Sequence, residues 1–291
     1  MSKSSHRVWV VGEALVDLLP GPSGRTPYVG GGPANAAKAI ANLGIEAAFI
    51  GGISTDNYGS IIRSELSNYG VNLDLVRKSN LPTATAAVQL NEDGEAEYQF
   101  KLEKTATFDF SNWLPTGHPE VIYTGSLATI IEPGASAIYR WLKNLDLSIV
   151  YDPNIRPSVV KEKSRYLESF HKWAEISRVI KLSLEDLDWL GLSTSRILEL
   201  GPKLVILTKG SDGISAFTRQ ETLHQQSEKL KIVDTVGAGD TVGAVLVEGI
   251  LKFGDGLLLN LQEVLHRASL AAAITCTRAG AKPPTLEELN R

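Results

Sequence analysis

A single cysteine, Cys276, stands in a chain of 291 residues. It excludes an internal disulfide, a cysteine zinc cluster and an iron–sulfur centre, and it fits a reducing cytoplasm. Cys276 lies in an apolar stretch that reads as helix, where a lone thiol acts as a small buried side chain. No apolar run is long enough to span a bilayer. The polar opening, Met1–Arg7, leads into a short strand and lacks the layout of a signal peptide. An excess of basic charge is also missing. Lys and Arg total 29 against 33 Asp and Glu, a net charge of −4, so no positive field exists to draw in nucleic acid. With 43% hydrophobic and 21% charged residues, the composition is that of an ordinary globular protein. Its length suits one large α/β domain, 1–291. Linkers, low-complexity tracts and internal repeats are lacking.

Several catalytic signatures are missing too. There is no GxxxxGKS or GxxxxGKT phosphate loop, no HExxH and no GxSxG. Neither Gly30-Gly31-Gly32 nor Gly237-Ala238-Gly239 has the third spaced glycine of a dinucleotide fingerprint. The histidines, at 6, 118, 171, 224 and 266, are scattered without ligand spacing and read as structural or surface residues.

The positive signal is Asp234-Thr235-Val236-Gly237-Ala238-Gly239-Asp240. Two glycines and an alanine sit between carboxylates, and a small-residue and aliphatic run, Thr241–Leu251, follows as helix. A helix start has unpaired N–H groups and the positive end of the helix dipole, which together make an anion site suited to phosphate. Small residues let the phosphate reach the backbone. Asp240 falls in the first turn, where a carboxylate repels phosphate but is well placed to take a proton from an attacking hydroxyl. The plainer reading is a Gly-rich turn with an acid at a helix start, which helix dipoles favour anyway.

Along the chain, strands and helices alternate. Extended runs are expected at Arg7–Gly12, Ala47–Ile50, Val121–Thr124, Ser148–Tyr151, Arg178–Leu182 and Lys203–Thr208, with further short strands in 214–233. Helices are expected at Ala34–Leu43, Tyr58–Tyr69, Ala135–Leu145, Lys161–Trp173, Leu184–Leu190, Gly239–Phe253 and Leu261–Thr277. This rhythm argues for a mainly parallel sheet with helices on both faces. One hairpin, Thr83–Leu90 and Ala96–Leu102 around Asn91-Glu92-Asp93-Gly94, interrupts it. With Val16–Val29 it reads as an inserted β lid. Val88, Leu90, Tyr98, Phe100 and Leu102 would give that lid an apolar face, and its strands would have open edges.

A second Gly-rich helix start, Gly30-Gly31-Gly32-Pro33-Ala34-Asn35, accompanies the first. Together these segments resemble the paired signatures of the ribokinase-like (PfkB) sugar kinases. Val11-Gly12-Glu13-Ala14-Leu15-Val16-Asp17, Tyr151-Asp152-Pro153-Asn154-Ile155-Arg156, Leu207-Thr208-Lys209-Gly210-Ser211-Asp212-Gly213 and Arg278-Ala279-Gly280-Ala281 continue the resemblance in family order, with bacterial fructokinases the most similar members. The resemblance implies the family fold, a mainly parallel sheet between helices with a small β-sheet lid from about 16–29 and 83–102 closing over a sugar.

It also implies ATP-dependent phosphorylation of a sugar hydroxyl, with fructose as the expected sugar. Asp240 would be the base, and Gly237, Ala238, Gly239 and Asp240 the anion hole. Asp17, Gly31, Gly32, Asn35 and Arg156 would bind the sugar. Thr208, Gly210, Gly213, Gly237 and Gly239 would bind ATP. Mg²⁺ would arrive with ATP, held mainly by phosphates and water, with Asp186 as a protein contact. K⁺ would occupy a loop pair at Asp234, Val236, Thr275 and Gly280. A homodimer through the lid is expected.

Some positions depart from the family pattern. Ser54-Thr55 stands where relatives often carry Gly-Asp. Val242 and Val245 stand where Phe and a small residue are usual, and Ser183-Leu184-Glu185-Asp186 where many carry Asn-x-x-Glu. Two alternatives stay open. One is a 2-keto-3-deoxygluconate kinase or ribokinase, the acid sugar being favoured by Lys101 and Lys104 near the lid. The other is a non-catalytic sugar- or nucleotide-binding relative, against which the intact Asp240 and glycine turn argue.

Overall fold

The computed structural model describes residues 7–21, 24–90, 96–110 and 113–291. The first part of the chain forms β1 Val8–Val11, β2 Leu15–Gly21, β3 Gly24–Gly30, α1 Gly32–Asn42, β4 Ala47–Ile50, β5 Gly52–Ser54, α2 Asn57–Asn68, β6 Arg77–Ser79, β7 Thr85–Leu90 and β8 Ala96–Lys101. The middle forms β9 Val121–Gly125, α3 Gly134–Leu142, β10 Ser148–Asp152, α4 Lys163–Ile176, β11 Val179–Ser183, α5 Leu184–Leu190 and α6 Thr194–Leu200. The last part forms β12 Leu204–Thr208, β13 Ile214–Phe217, β14 Thr222–Gln225, α7 Ala238–Phe253, α8 Leu261–Cys276 and α9 Leu286–Leu289.

Eight strands make the main sheet in the order β14-β13-β12-β11-β10-β9-β1-β4. All neighbours from β12 through β4 pair in parallel, while β13 and β14 join antiparallel at one edge. Strands covered on both faces can be apolar throughout, and β1 is buried at every position. Period-2 alternation splits each strand between two cores. Val8 and Val10 of β1 pack with residues of α1, α7 and α8. Trp9 and Val11 pack on the opposite face, with residues of α3, α4, α5 and α6.

The same alternation turns Tyr123 of β9 to the α7 side, with Val121. On β10, Val150 faces α7 while Ile149 and Tyr151 face away, so Asp152 points toward α7. On β11, Val179 faces α7 and Ile180 and Leu182 do not, so Lys181 points toward α7 as well. The chemistry of the site follows from this parity.

The smaller sheet has the order β3-β2-β7-β8, so both segments expected to form the lid do pair. Strand β2 joins β3 antiparallel and β7 parallel. The hairpin register runs from Thr85 opposite Lys101 to Leu90 opposite Ala96; its turn, 91–94, lies outside the described residues, as do the side chains of Val88, Leu90 and Tyr98. Two expected lid residues depart from an open apolar face. Leu102 is buried beside Phe108 and Phe110, and Phe100 packs partly against the same cluster. The base of the lid is thus continuous with the main core. Exposed apolar surface remains on the other hairpin, where Tyr28 is 52% and Leu19 37% exposed.

Helix ends follow local chemistry. Asp56 caps α2 by accepting from Gly59 N–H at 2.7 Å, and it also accepts from Thr83 N–H and Oγ1 at the foot of the lid. Gly70, at φ 82, ends the same helix. Strand expectation in 214–233 holds only for β13 and β14, and α6 lies where no helix was expected. The seven residues of α6 are too few for a clear apolar stripe. No helix among the described residues is long and apolar enough to cross a membrane.

Candidate active site

The site forms where α1 and α7 begin, over the carboxyl ends of the parallel strands. Open α/β sheets gather ligands at this edge. Helix α7 starts after Gly237, which adopts a left-handed conformation with φ 80. A Cβ there would lie 2.6 Å from Ala281 Cβ, so only glycine admits the closing loop. Thr241 N–H donates to the Gly237 carbonyl at 2.9 Å, the first regular bond of the helix. Ahead of it, the N–H groups of Gly237, Gly239 and Asp240 have no partner among the described residues. Ala238 N–H, expected to join them, leans instead on the Thr235 carbonyl at 3.3 Å.

Asp240 is 8% exposed. Its Oδ2 accepts from Asn35 Nδ2 at 3.0 Å, which fixes how the Asn35 amide is turned, since only its NH2 donates. The oxygen of that amide, Asn35 Oδ1, is buried without a hydrogen-bond partner among the described residues. Burial lifts the Asp240 carboxyl to about 6; Asp152 pushes it further up, while Lys181, Asn35 and Arg156 pull it down. A carboxylate in that range is ionised near neutral pH yet basic enough to accept a proton.

Gly32 shows how close the surroundings come. A Cβ there would be 2.9 Å from Asn154 Nδ2, 3.4 Å from Asp240 Oδ1 and 3.5 Å from Ser126 Cβ. A side chain at 32 would therefore fill the space beside the base. Gly31, at φ 103, would clash with the Glu13 carbonyl at 2.6 Å. Asp17 sits on β2 in the lid, against Gly30. Burial raises its carboxyl to about 6, opposed by Arg156. Arg156 itself is exposed. Its charge acts on both Asp17 and Asp240, so the expected sugar residues Asp17, Asn35, Gly31, Gly32 and Arg156 surround one cleft.

Several site residues were not singled out in the sequence. Asp152 Oδ2 accepts from Tyr123 OH at 3.0 Å and from Lys181 Nζ at 2.8 Å, all buried under α7. A charged residue inside an apolar parallel strand, as in Val179-Ile180-Lys181-Leu182, was the available signal. Asn154 and Ser126 both take positive φ, 40 and 55, conformations that side-chain-bearing residues hold only under constraint. Glu13 is buried, and its carboxylate accepts from Ala128 N–H at 2.9 Å and Leu127 N–H at 3.4 Å. Burial raises it to about 7 even against those bonds.

Asp186, the expected protein contact for Mg²⁺, is buried. Its Oδ1 accepts from Ile155 N–H at 2.7 Å and its Oδ2 from Ser183 N–H at 3.0 Å, inside a capping box for α5. These bonds tie the segment around Ile155 to the start of α5. Among the described residues no group of three or more His, Cys, Asp or Glu has a metal-binding arrangement. The expected nucleotide residues line a turn after β12. Thr208 Oγ1 donates to the Leu182 carbonyl at 3.3 Å, and Gly210 and Gly213 hold φ 55 and 87. In the expected K⁺ loops, Asp234 accepts from Gly280 N–H at 2.8 Å and from Val236 N–H at 3.1 Å, bonds that hold its carboxyl low. Thr275 Oγ1 is already committed to the Ala271 carbonyl and to Thr241.

Comparison with known proteins fits this geometry. A profile described as pfkB family carbohydrate kinase matches residues 6–288. The fructokinase of Rhizobium leguminosarum bv. trifolii is 35% identical over 269 residues, 86% of this chain and 81% of that protein. The fructokinase of Salmonella typhimurium is 30% identical over 304 residues, 98% of each. A double mutant of Vibrio cholerae fructokinase, in fructose-, ADP- and potassium-bound form, superposes with a TM-score of 0.87 at 26% identity, covering 100% of this chain and 99% of that one. Aminoimidazole riboside kinase from Salmonella enterica, with its riboside and an ATP analogue, reaches 0.83 at 24% identity over 97% of this chain and 98% of that one, a likeness of fold. The chain belongs to the pfkB family of carbohydrate kinases, with the ribokinase-like fold.

The geometry makes one replacement decisive. Asp240→Asn keeps the shape and the helix start but cannot accept a proton. Turnover should fall by roughly 10²–10⁴-fold while nucleotide affinity stays within error. Turnover close to wild type in a folded variant would remove Asp240 as the base.

Proposed function

We propose that this carbohydrate kinase transfers the γ-phosphoryl group of ATP to a hydroxyl of fructose. The observation that carries the reading is the Asp240 carboxylate, hydrogen-bonded to Asn35 and set beside unpaired N–H groups at the start of α7. The sugar hydroxyl meets Asp240, which takes its proton as the oxygen attacks the γ-phosphorus. The bond from phosphorus to the bridging oxygen breaks, and ADP leaves with the electron pair. The N–H groups of Gly237, Gly239 and Asp240 face the charge on the transferring group. Asp17 and the unpartnered Asn35 amide oxygen accept the other hydroxyls, and Gly31 and Gly32 leave room for the ring. Arg156 offsets negative charge at the mouth. Thr208, Gly210 and Gly213 line the nucleotide. Mg²⁺ would come as part of the ATP substrate and would neutralise phosphate charge; among the described residues no group of three or more His, Cys, Asp or Glu would cage it.

Fructose is favoured by the relatives at 30% identity or more that are named fructokinases. A neutral sugar also suits a site that presents Asp17 and Asp240, where a sugar acid would meet like charge. Lys101 and Lys104 are exposed and so solvated without a sugar acid. A panel of fructose, ribose, aminoimidazole riboside and 2-keto-3-deoxygluconate with ATP tests this. Fructose should give the highest kcat/KM. A higher value for another sugar overturns the fructose reading, and turnover of none favours the binding-only alternative. Asp17→Ala and Asn35→Ala should each cost about 0.5–3 kcal/mol of sugar binding, raising KM for sugar more than for ATP.

K⁺ is proposed to sit between the loops at Asp234 and Gly280, with Val236 and Thr275 contributing backbone carbonyls. Weakly charged ions suit such oxygens, and filling the loop pair steadies Gly237 from behind. Turnover should be faster in K⁺ than in a large organic cation at matched ionic strength; equal rates would rule the ion out.

A homodimer through the lid is proposed as well. Tyr28 and Leu19 are exposed on β2 and β3, and one sheet edge is free at β3. A two-fold axis lets one such face pair with itself. Light scattering at micromolar concentration should give twice the chain mass; a fully active monomer contradicts it.

A further inference from the structure

The buried cluster under α7 has no role in the steps above, and it is costly to keep. Lys181 is 4% and Asp152 2% exposed. Their ion pair, 2.8 Å long, spends much of its attraction on lost hydration, and apolar residues of similar size generally stabilise a core as well or better. The placement is unfavourable in a second way. The ammonium lies beneath the positive end of the α7 dipole, where an anion is preferred.

The glycine above it is shaped to admit the lysine. A Cβ on Gly239 would come 2.8 Å from Lys181 Nζ and 3.6 Å from its Cε. Apart from its chain neighbours and the backbone of its own helix, no other atom of the described residues lies within 4 Å of that position. The second glycine of the turn therefore makes room for a cation below the helix, in addition to any room it gives a phosphate ahead of it.

We propose that Lys181 is a positioning residue for phosphoryl transfer: seated under Gly239 and held by Asp152 and Tyr123, its ammonium fixes the first turn of α7 and keeps Asp240 an ionised base beside Asp152. Two carboxylates in one dry pocket cannot both stay ionised without a cation between them. The groups that face this pocket are Asp152 of β10, Lys181 of β11, Tyr123 of β9, Asn35 of α1 and Asp240 of α7, with Asp17, Glu13, Asp186 and Arg156 at its margins. Burial disfavours the Lys181 charge, but Asp152, Asp240 and Asp186 together hold its pKa above the usual lysine value. Burial and Asp152 push Asp240 up, and Lys181 draws it down. Without the ammonium, the two carboxyls would share a proton and titrate as a pair, and Asp240 would lose part of its capacity as a base at neutral pH. The positive charge also lies under the anion hole, where negative charge gathers during transfer.

The test is a double-mutant cycle, run with whichever sugar the wild-type protein phosphorylates fastest, so that it stands even if the fructose reading fails. Gly239→Ala keeps every charge but displaces the ammonium. Lys181→Met removes it. Each should lower kcat about tenfold or more, with KM for ATP and sugar changed less than twofold, and should move the acid limb of the kcat–pH profile to higher pH. A role confined to packing would not move that limb. Because both changes act on the same contact, the double variant should be no slower than the slower single. Calorimetric binding of ADP, which needs no turnover, should be retained in all three. If Lys181→Met does not fold, Gly239→Ala, which keeps every charge, carries the test with the same readouts. The same loss of kcat with unchanged KM supports the assignment. Multiplying effects in the cycle, an unshifted acid limb, or a change confined to KM overturns it.

Discussion

The hydrogen bond from Asn35 to Asp240 joins positions 205 residues apart at 3.0 Å, and the site depends on it. Asn35 belongs to the helix that follows the lid's first hairpin. Asp240 belongs to the helix that opens the last fifth of the chain. Their contact brings the start of α1, proposed above to face the sugar, to the start of α7, proposed to face the phosphate. Because both groups are buried, leaving either unpaired would cost about 1–3 kcal/mol or more. That penalty holds α1 and α7 in one register on the sheet face they share.

The glycines around this bond are explained mostly by protein atoms. Gly237 needs its left-handed conformation and yields space to Ala281. Gly239 lies against the Lys181 ammonium, Gly31 against the Glu13 carbonyl, and Gly32 faces Asn154 and the free oxygen of Asp240. Gly32 borders Asp240 Oδ1 directly. Small residues at a phosphate site are usually credited to ligand approach. Here most of them first allow two helix starts, a loop and a buried cation to meet within a few ångströms.

Much of this was legible in the sequence. Alternating apolar runs fixed a parallel sheet between helices, and element bounds agree within a few residues because each helix end carries its own signal, such as Gly70 after α2. The two Gly-rich helix starts marked Asp240 and Asn35 without any coordinates. What stayed hidden depended on parity and on contacts across the chain. Lys181 reads as an ordinary strand residue and Asp152 as one member of a family segment; only the count of alternating positions along β10 and β11 turns both to α7 and into contact. At Asp186 the bond to Ser183 is a capping-box spacing of three, whereas the Ile155 N–H it also meets lies 31 residues away and is hidden in the same way. Leu102 looked like lid surface because a hairpin drawn in isolation has two faces, and the neighbouring Phe108 and Phe110 cover one of them.

The central claim is that a buried charge pattern around α7 holds Asp240 as a poised base. The most direct measurement is a carbon-13 NMR titration of the Asp240 carboxyl in the ligand-free protein, assigned by comparison with a variant lacking that group. The account requires a midpoint near 6, well above the ordinary aspartate value of about 3.9, with the carboxyl ionised at neutral pH. A midpoint near 4 would mean an aspartate that water reaches freely, and it would contradict the buried, Asn35-tethered base described above.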